Sequence, residues 1–320
     1  MEIKTYAPVL IPTLNRYEHF KRCLESLEKC TGAEHTEIFV ALDYPPSEKY
    51  KEGWSKICKY LEEKKQSHLF KELHVIKRDH NYGICKLNSN PGSARDEFIA
   101  PRFDCYITTE DDNEFSPNFL EYMNWGLSTY AKDPSVLAIC GYSDLPTEIF
   151  KNNIYKFDRF CAWGCGMWFD KYEKVKHFYD FSVLEQHVTS IPFQVIFSYS
   201  DLLHAFHVLR MIKHKTFYGD AIRGCLPKEE RNYIYPVISK VRNHGTDGSG
   251  QHGKVSSSRY EKYINLEIDS DSQFFPCIKT DLFVPESEVF FKKSQSYSFI
   301  RHLYFSFAFV LWRIFRINIS

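Results

Sequence analysis

The chain has 320 residues, enough for one large α/β domain or for a domain with a substantial appendage. Lysine plus arginine equal aspartate plus glutamate at 41 each, which excludes a global electrostatic hold on nucleic acid but not a local basic patch. The ten cysteines contain no CxxC pair; the nearest two, Cys161 and Cys165, stand alone, and this argues against a zinc site.

In chain order, Pro8-Val-Leu-Ile-Pro12 is a short apolar run bounded by prolines, the pattern of a buried strand. Tyr17, Phe20, Leu24, Leu27 and Cys30 then recur at helical spacing. Residues 37–43 form a second buried strand ending on Asp43, and Trp54, Ile57, Cys58 and Leu61 mark the next helix. Leu73–Ile76 is a third strand, and residues 93–100 are expected to be a short helix after a turn-rich stretch. Cys105–Thr109 is a fourth strand and runs into the acidic triplet Glu110-Asp111-Asp112. A helix starts near Pro117, with Phe119, Tyr122, Met123 and Leu127 on one face, and Val136–Cys140 is another strand. Residues 199–214 are expected to be helical, Tyr235–Lys240 a strand and 242–253 a glycine-rich loop. The alternation predicts a mostly parallel sheet covered by helices, with ligands bound beyond the carboxyl ends of the strands. Thr13, Asp43 and Glu110 all fall at such ends.

Three consecutive carboxylates repel one another and need a cation or strong solvation. Mg2+ or Mn2+ takes one or two protein carboxylates and completes its octahedron with phosphate oxygens and water, which suits a diphosphate leaving group. A solvated turn ahead of a helix N-terminus accounts for the same residues, so the triplet alone does not decide.

The segment from Thr108 to Met123 resembles the DxD-type region of GT-A glycosyltransferases. It is similar to the N-acetylglucosaminyltransferase I group and to bacterial members of glycosyltransferase family 2. Residues 10–27 resemble that family's first strand and helix, and Ile38–Asp43 its second strand. The stretch Tyr218–Gly253 resembles an acid-containing motif, a strand and a glycine-rich loop closing on histidine. The resemblance implies a GT-A (Rossmann-like) fold over residues 1–255. Residues 1–142 would be its nucleotide-sugar half, 143–255 its acceptor and catalytic half, and 256–320 a C-terminal helical extension. It implies Asp112 and His252 as ligands of Mn2+ or Mg2+, and Asp220 as catalytic base. Donor contacts would come from Pro12, Thr13, Asn15, Arg16, Asp43, Arg95, Glu110 and Asp111: Asp43 at the nucleotide base, Asp111 at the ribose, Glu110 near the donor sugar. Trp163 and Gly164 would face the acceptor.

The implied activity is transfer of a sugar, hexosyl or N-acetylhexosaminyl, from a nucleoside-diphosphate sugar, UDP by resemblance, to a glycan or lipid-linked hydroxyl, with inversion, in a setting such as surface polysaccharide synthesis. An inverting transfer needs one carboxylate to take the hydroxyl proton. Asp220, between Phe217-Tyr218 and Ala221-Ile222, is expected to be partly desolvated, and Asp201 is its rival; either also suits a helix cap. Lys240 and Arg242 are candidate diphosphate partners or exposed strand residues. Asn81 lies in the donor-side region by resemblance. A sugar-nucleotide pyrophosphorylase would carry a glycine-rich basic loop where this chain has Thr13-Leu-Asn-Arg16. A non-catalytic sugar-binding module would not need Asp112, Asp220 and His252.

The first 16 residues hold too short an apolar stretch for a signal peptide, so a cytoplasmic protein with reduced thiols is expected. The uncharged run Leu303–Trp312 is too short to span a bilayer. Flanked by Arg301, Arg313 and Arg316, it is expected to make residues 296–320 an in-plane helix at the inner face of the plasma membrane, or a helix packed on the domain.

Overall fold

In the computed structural model, β1 (Val9–Thr13) pairs in parallel with β2 (Glu37–Leu42) on one side and with β4 (Cys105–Thr108) on the other. β3 (Glu72–Lys77) extends the parallel set beyond β2. Past β4 lie β8 (Cys165–Trp168), β6 (Val136–Cys140), β9 (Asn232–Pro236) and β7 (Ile154–Phe157). The eight-stranded sheet has the order β3-β2-β1-β4-β8-β6-β9-β7, and only β7 and β8 run against the rest. The residues described are 6–86, 88–145, 151–250, 257–279, 281–282 and 298–320. The two halves expected on either side of residue 142 share this one sheet.

The central strands read as unbroken apolar runs because helices cover both faces. Val9, Ile11, Ile38, Val40 and Leu42 point to one core with α1 (Tyr17–Glu28), α2 (Lys51–Lys64) and α4 (Phe119–Thr129). Leu10, Phe39 and Ala41 point to the other, with α6 (Phe181–Ser190) and α7 (Tyr199–His214). Phe20, Leu24 and Leu27 of α1 are fully buried, each contributing about 1.5–3 kcal/mol of apolar burial. The helix expected over 93–100 begins earlier, as α3 (Asn90–Ala94), and continues as a wider turn to Ile99. The C-terminal helix, α10 (Phe299–Phe315), buries Phe305, Ala308, Phe309 and Trp312 in the same core as α7.

The strand expected over Tyr235–Lys240 is broken. β9 stops at Pro236, which has no N–H to extend a ladder, and Val237 donates instead to Asn153 O at 2.9 Å. Ser239 Oγ then accepts from Ser143 N at 3.0 Å and Lys240 N donates to Gly141 O at 2.8 Å, bending the chain over Gly141. It resumes as β10 (Val241–Asn243), which pairs antiparallel with β5 (Asn113–Phe115). This small second sheet carries the downstream loop onto the end of β4.

α2 sits unusually close to the β1–α1 loop: a Cβ on Gly53 would stand 2.0 Å from the Asn15 carbonyl oxygen. Backbone cannot yield as a side chain does, so Gly53→Ala should cost roughly 1–3 kcal/mol of stability. Urea unfolding should show a lower midpoint with an unchanged slope; an unchanged midpoint would mean the loop is free to move.

Candidate active site

β1 lies where the chain changes direction across the sheet, with β2 and β3 added on one side and β4 on the other; ligands of open α/β sheets bind at the carboxyl ends there. The acidic triplet turns immediately after β4. Thr109 N donates to Leu10 O at 3.1 Å, and Asn113 Nδ2 closes the turn on Thr109 Oγ1 at 2.8 Å. Asp111 and Asp112 are buried, while Glu110 opens to solvent within the cleft. Thr13 Oγ1, at the end of β1, donates to Asp111 Oδ2 at 2.8 Å. The Arg16 guanidinium, from the loop after β1, bonds Asp111 and reaches Asp112 Oδ2 at 2.8 Å. Asp112 Oδ1 accepts from Asn243 Nδ2 at 2.8 Å, and its carbonyl accepts from His244 N at 2.9 Å.

Charge at this point is unbalanced. Burial opposes the Arg16 charge, but Asp111 and Asp112 more than offset it and hold the guanidinium protonated. Burial, with Asp112 beside it, raises Asp111 despite Arg16. Glu110 is pushed up to about 8, first by burial among the surrounding protein and then by Asp112 and Asp111. Two aspartates sharing one guanidinium leave negative charge to spare at an all-oxygen pair, which suits a hard divalent cation completed by ligand oxygens and water.

Of the expected donor contacts, Thr13, Arg16, Glu110 and Asp111 meet at this point. Pro12 lies in β1 opposite Ala41, and Asn15 shapes the loop through its carbonyl, which accepts from Tyr17 N at 3.0 Å. Asp43 follows β2, but its oxygens are engaged: they accept from Tyr44 N, Tyr82 N, Gly83 N and Asn81 Nδ2 at 2.8–3.1 Å. Here Asp43 fixes the 81–83 loop. Arg95 belongs to a different neighbourhood. It bonds Asp96 at 2.7 Å and lies 4.1 Å over the Tyr172 ring of α5 (Phe169–Lys176), on the opposite side of the sheet from α1.

Asp220 sits in the first turn of α8 (Gly219–Gly224), whose inward face is Ala221 and Ile222. It is exposed, not desolvated as the sequence suggests, because the helix turns its apolar neighbours inward and the acid outward. Burial, then the charges of Glu110 and Asp220, push the Cys85 thiol up. Phe217 N also donates to Cys85 O at 2.8 Å, bonding the approach to α8 onto the 81–86 loop. The rival, Asp201, is engaged in the first turn of α7 by Ser198 Oγ at 3.1 Å and Lys228 Nζ at 3.2 Å.

Trp163 stands edge-on to Tyr142 and Tyr263, the latter on α9 (Ser257–Ile264), with centroids 4.7 and 5.3 Å away. Gly164 is buried, with φ +64° and its carbonyl bonded to Gly141 N, and a Cβ there would meet Val241 at 2.9 Å. Its glycine answers to backbone geometry and packing, not to an acceptor. Lys240 is neither exposed nor free for a phosphate: it is buried, ion-paired with Asp269, and packed near Tyr122 and Phe274. Arg242 and His244 both hold Glu114, at 3.2 and 2.8 Å. His252 lies outside the described residues.

One residue of the site has no sequence signal of its own: Asn243, which orients Asp112. Gly245, in the glycine-rich loop the sequence already marks, is required beside it, since a Cβ there would fall 2.0 Å from Asp112 Oδ2.

No family profile matches the chain, and no curated protein does. Among solved structures, the mannosyltransferase PcManGT from Pyrobaculum calidifontis, in complex with GDP-Man and Mn2+, is 13% identical over 53% of this chain and 46% of that one, with a TM-score of 0.37. S. aureus TarS 1-349 is 15% identical over 47% of this chain and 41% of that one, with a TM-score of 0.33. The same fragment in complex with UDP-GlcNAc gives 16% identity, 46% and 38% coverage, and 0.32. The chain thus spans less than half the length of these proteins, and likeness at this level assigns it no residue and no substrate.

Gly245→Ala should dislodge the Asp112 carboxylate without disturbing the sheet. Calorimetry is expected to show Mn2+ binding weakened roughly 10- to 100-fold, the cost of losing a partner that orients a ligand, with far-ultraviolet dichroism unchanged. Wild-type affinity would mean Asp112 is not what holds the ion.

Proposed function

We propose that this chain is a metal-dependent, inverting glycosyltransferase that moves a sugar from a nucleoside-diphosphate sugar to a hydroxyl of a glycan or lipid-linked acceptor. The observation that carries the reading is the knot of Thr13, Arg16, Asp111, Asp112 and Asn243 at the topological switch point. The resemblance of the triplet and of Tyr218–Gly253 to GT-A enzymes supports it, and UDP as the nucleotide rests on that resemblance.

Asp112 would hold Mg2+ or Mn2+, with His252 as a second ligand. The ion would neutralise the departing diphosphate. Arg16 now bridges both aspartates; engaged by a donor, its guanidinium is placed to turn from Asp112 to phosphate oxygens, as a rigid five-donor fork suits. Asp111 stays held by Thr13 and faces the ribose. Glu110 lies beside the donor sugar, and Trp163 offers its ring to the acceptor. Exposed Asp220 accepts the proton of the attacking hydroxyl. Asp220→Asn should lower transfer roughly 100- to 10,000-fold while nucleotide-sugar binding survives. Near-normal turnover would remove Asp220 from the mechanism.

We also propose that α10 rests on an anionic membrane surface, the cytoplasmic face of the plasma membrane, which would bring a lipid-linked acceptor to the cleft. One side of α10 packs on α7; the other presents Ile300, Leu303, Tyr304, Phe307 and Ile314 to solvent at helical spacing. Phe197, 82% exposed, lies in the turn beside it. Residues 298–320 contain no acid, and Arg301 and Arg316 are exposed toward the two ends of the helix. No described helix is long and apolar enough to cross a membrane, and an in-plane helix does not need to be. The chain should float with phosphatidylserine vesicles and not with phosphatidylcholine alone, and Leu303→Glu with Phe307→Glu should abolish flotation. A variant that still floats, or one that only converts a dimer to monomer, would refute the membrane role.

A further inference from the structure

Away from the cleft, three helices bring together side chains that no spacing rule connects. His187 lies on α6, His204 on α7, and Cys225 closes α8. The two imidazole Nε2 atoms are 3.2 Å apart, and these nitrogens and the Cys225 sulfur all lie within 4.8 Å of one another. His204 and Cys225 are buried; His187 is half-buried and gives the cluster an edge toward solvent.

We propose that His187, His204 and Cys225 form a binding site for a borderline-soft divalent cation of the zinc class, separate from the oxygen-only site at the triplet. In a tetrahedral zinc site, with bonds of about 2.0–2.1 Å to nitrogen and about 2.3 Å to sulfur, ligand atoms stand roughly 3.3–3.8 Å apart. The cluster reaches that spacing with side-chain adjustments of an ångström or less. The donor set, two imidazoles and a thiol, selects zinc, cobalt or nickel over magnesium or manganese.

A second feature is built around the pocket. A Cβ on Gly224 would stand 2.6 Å from His204 Nδ1, so only glycine lets this ring lie against the end of α8 next to Cys225. The Gly224 carbonyl is pinned by Arg231 Nη1 at 2.5 Å. Burial, then the nearby Arg231, pushes His187 down to about 4, and burial pushes His204 well below the usual histidine range. Cys225 donates to Ala221 O at 3.4 Å, and burial pushes its thiol up to about 12. Binding therefore releases one proton: the S–H bond breaks, a metal–sulfur bond forms, and the proton leaves to solvent. The thiolate offsets part of the repulsion between the cation and Arg231. Three protein ligands leave one position for water. The bound ion would staple α6 and α7 to α8, the helix that carries Asp220, making it a structural anchor for the acceptor side.

The test is a Co2+ titration of the full chain, purified metal-free. One ion per chain should bind with visible d–d bands and a near-ultraviolet thiolate-to-cobalt band, and Zn2+ should displace it. Cys225→Ser should remove the near-ultraviolet band. Half-buried His187→Ala, chosen over the buried His204, should weaken binding by more than the roughly 10- to 100-fold cost of an outer partner. Asp112→Asn should leave both readouts intact, which keeps this result independent of the cleft's own cation. No thiolate band, or a band that survives Cys225→Ser, would overturn the site and show the two histidines to be a metal-free hydrogen-bonded pair.

Discussion

Two adjacent buried carboxylates, Asp111 and Asp112, share the guanidinium of Arg16, and the cleft is arranged around that shared bond. In protein-like surroundings, two like charges about 4 Å apart repel by roughly 4 kcal/mol, and burial adds to the cost of each. Nothing local to the triplet can offset this; the compensation arrives from other elements. Arg16 comes from the loop after β1, whose path depends on the bare Cα of Gly53 lying against the Asn15 carbonyl. Asn243 comes from β10, which is in place because β5 begins one residue after the triplet and pairs with it. The carboxylates, the loop after β1, α2 and the small second sheet are therefore one mechanical unit.

The basic residues around β10 sharpen that account. From the sequence, Lys240 and Arg242 are candidate diphosphate partners or exposed strand residues. Folding engages each with an acid: Lys240 with Asp269, Arg242 and His244 with Glu114. Glu114 is held below the usual carboxylate range chiefly by the His244 hydrogen bond, with Arg242 contributing, so this knot stays charged and clamps β5 to β10. Among the described residues, the basic side chain that touches the triplet is Arg16 alone. A donor's negative charge would be met there by one guanidinium and an ion, not by a basic surface.

What the sequence revealed divides along a physical line. The strands were legible because a sheet covered on both faces needs unbroken apolar runs, and the triplet was legible because it directly follows one. Asp201 and Asp220 were not separable, since both lie in first helical turns; only the fold shows Asp201 engaged by Ser198 and Lys228, and Asp220 exposed. Gly53 is required by a close approach between distant segments, which leaves no local pattern. The absence of CxxC pairs argues against a zinc site from spacing, but spacing is blind to side chains 17 and 21 residues apart that come together only when α6, α7 and α8 pack.

Asp43 shows how a correct position can serve a different purpose. It stands at a strand end facing the cleft, where an acid suits a nucleotide base, yet its carboxylate accepts three backbone amides and one side-chain amide. A carboxylate so satisfied is a strong organiser, because releasing it would leave four partly buried donors without their acceptor. The loop it organises, residues 81–86, carries Cys85, whose carbonyl accepts from Phe217 just ahead of α8. Asp43 thus connects through one loop to the segment that leads into α8, the helix carrying Asp220. A donor base entering beside Asp43 would have to work with that loop's amides in place, so its edge is read by the backbone of 81–83 as much as by the acid itself.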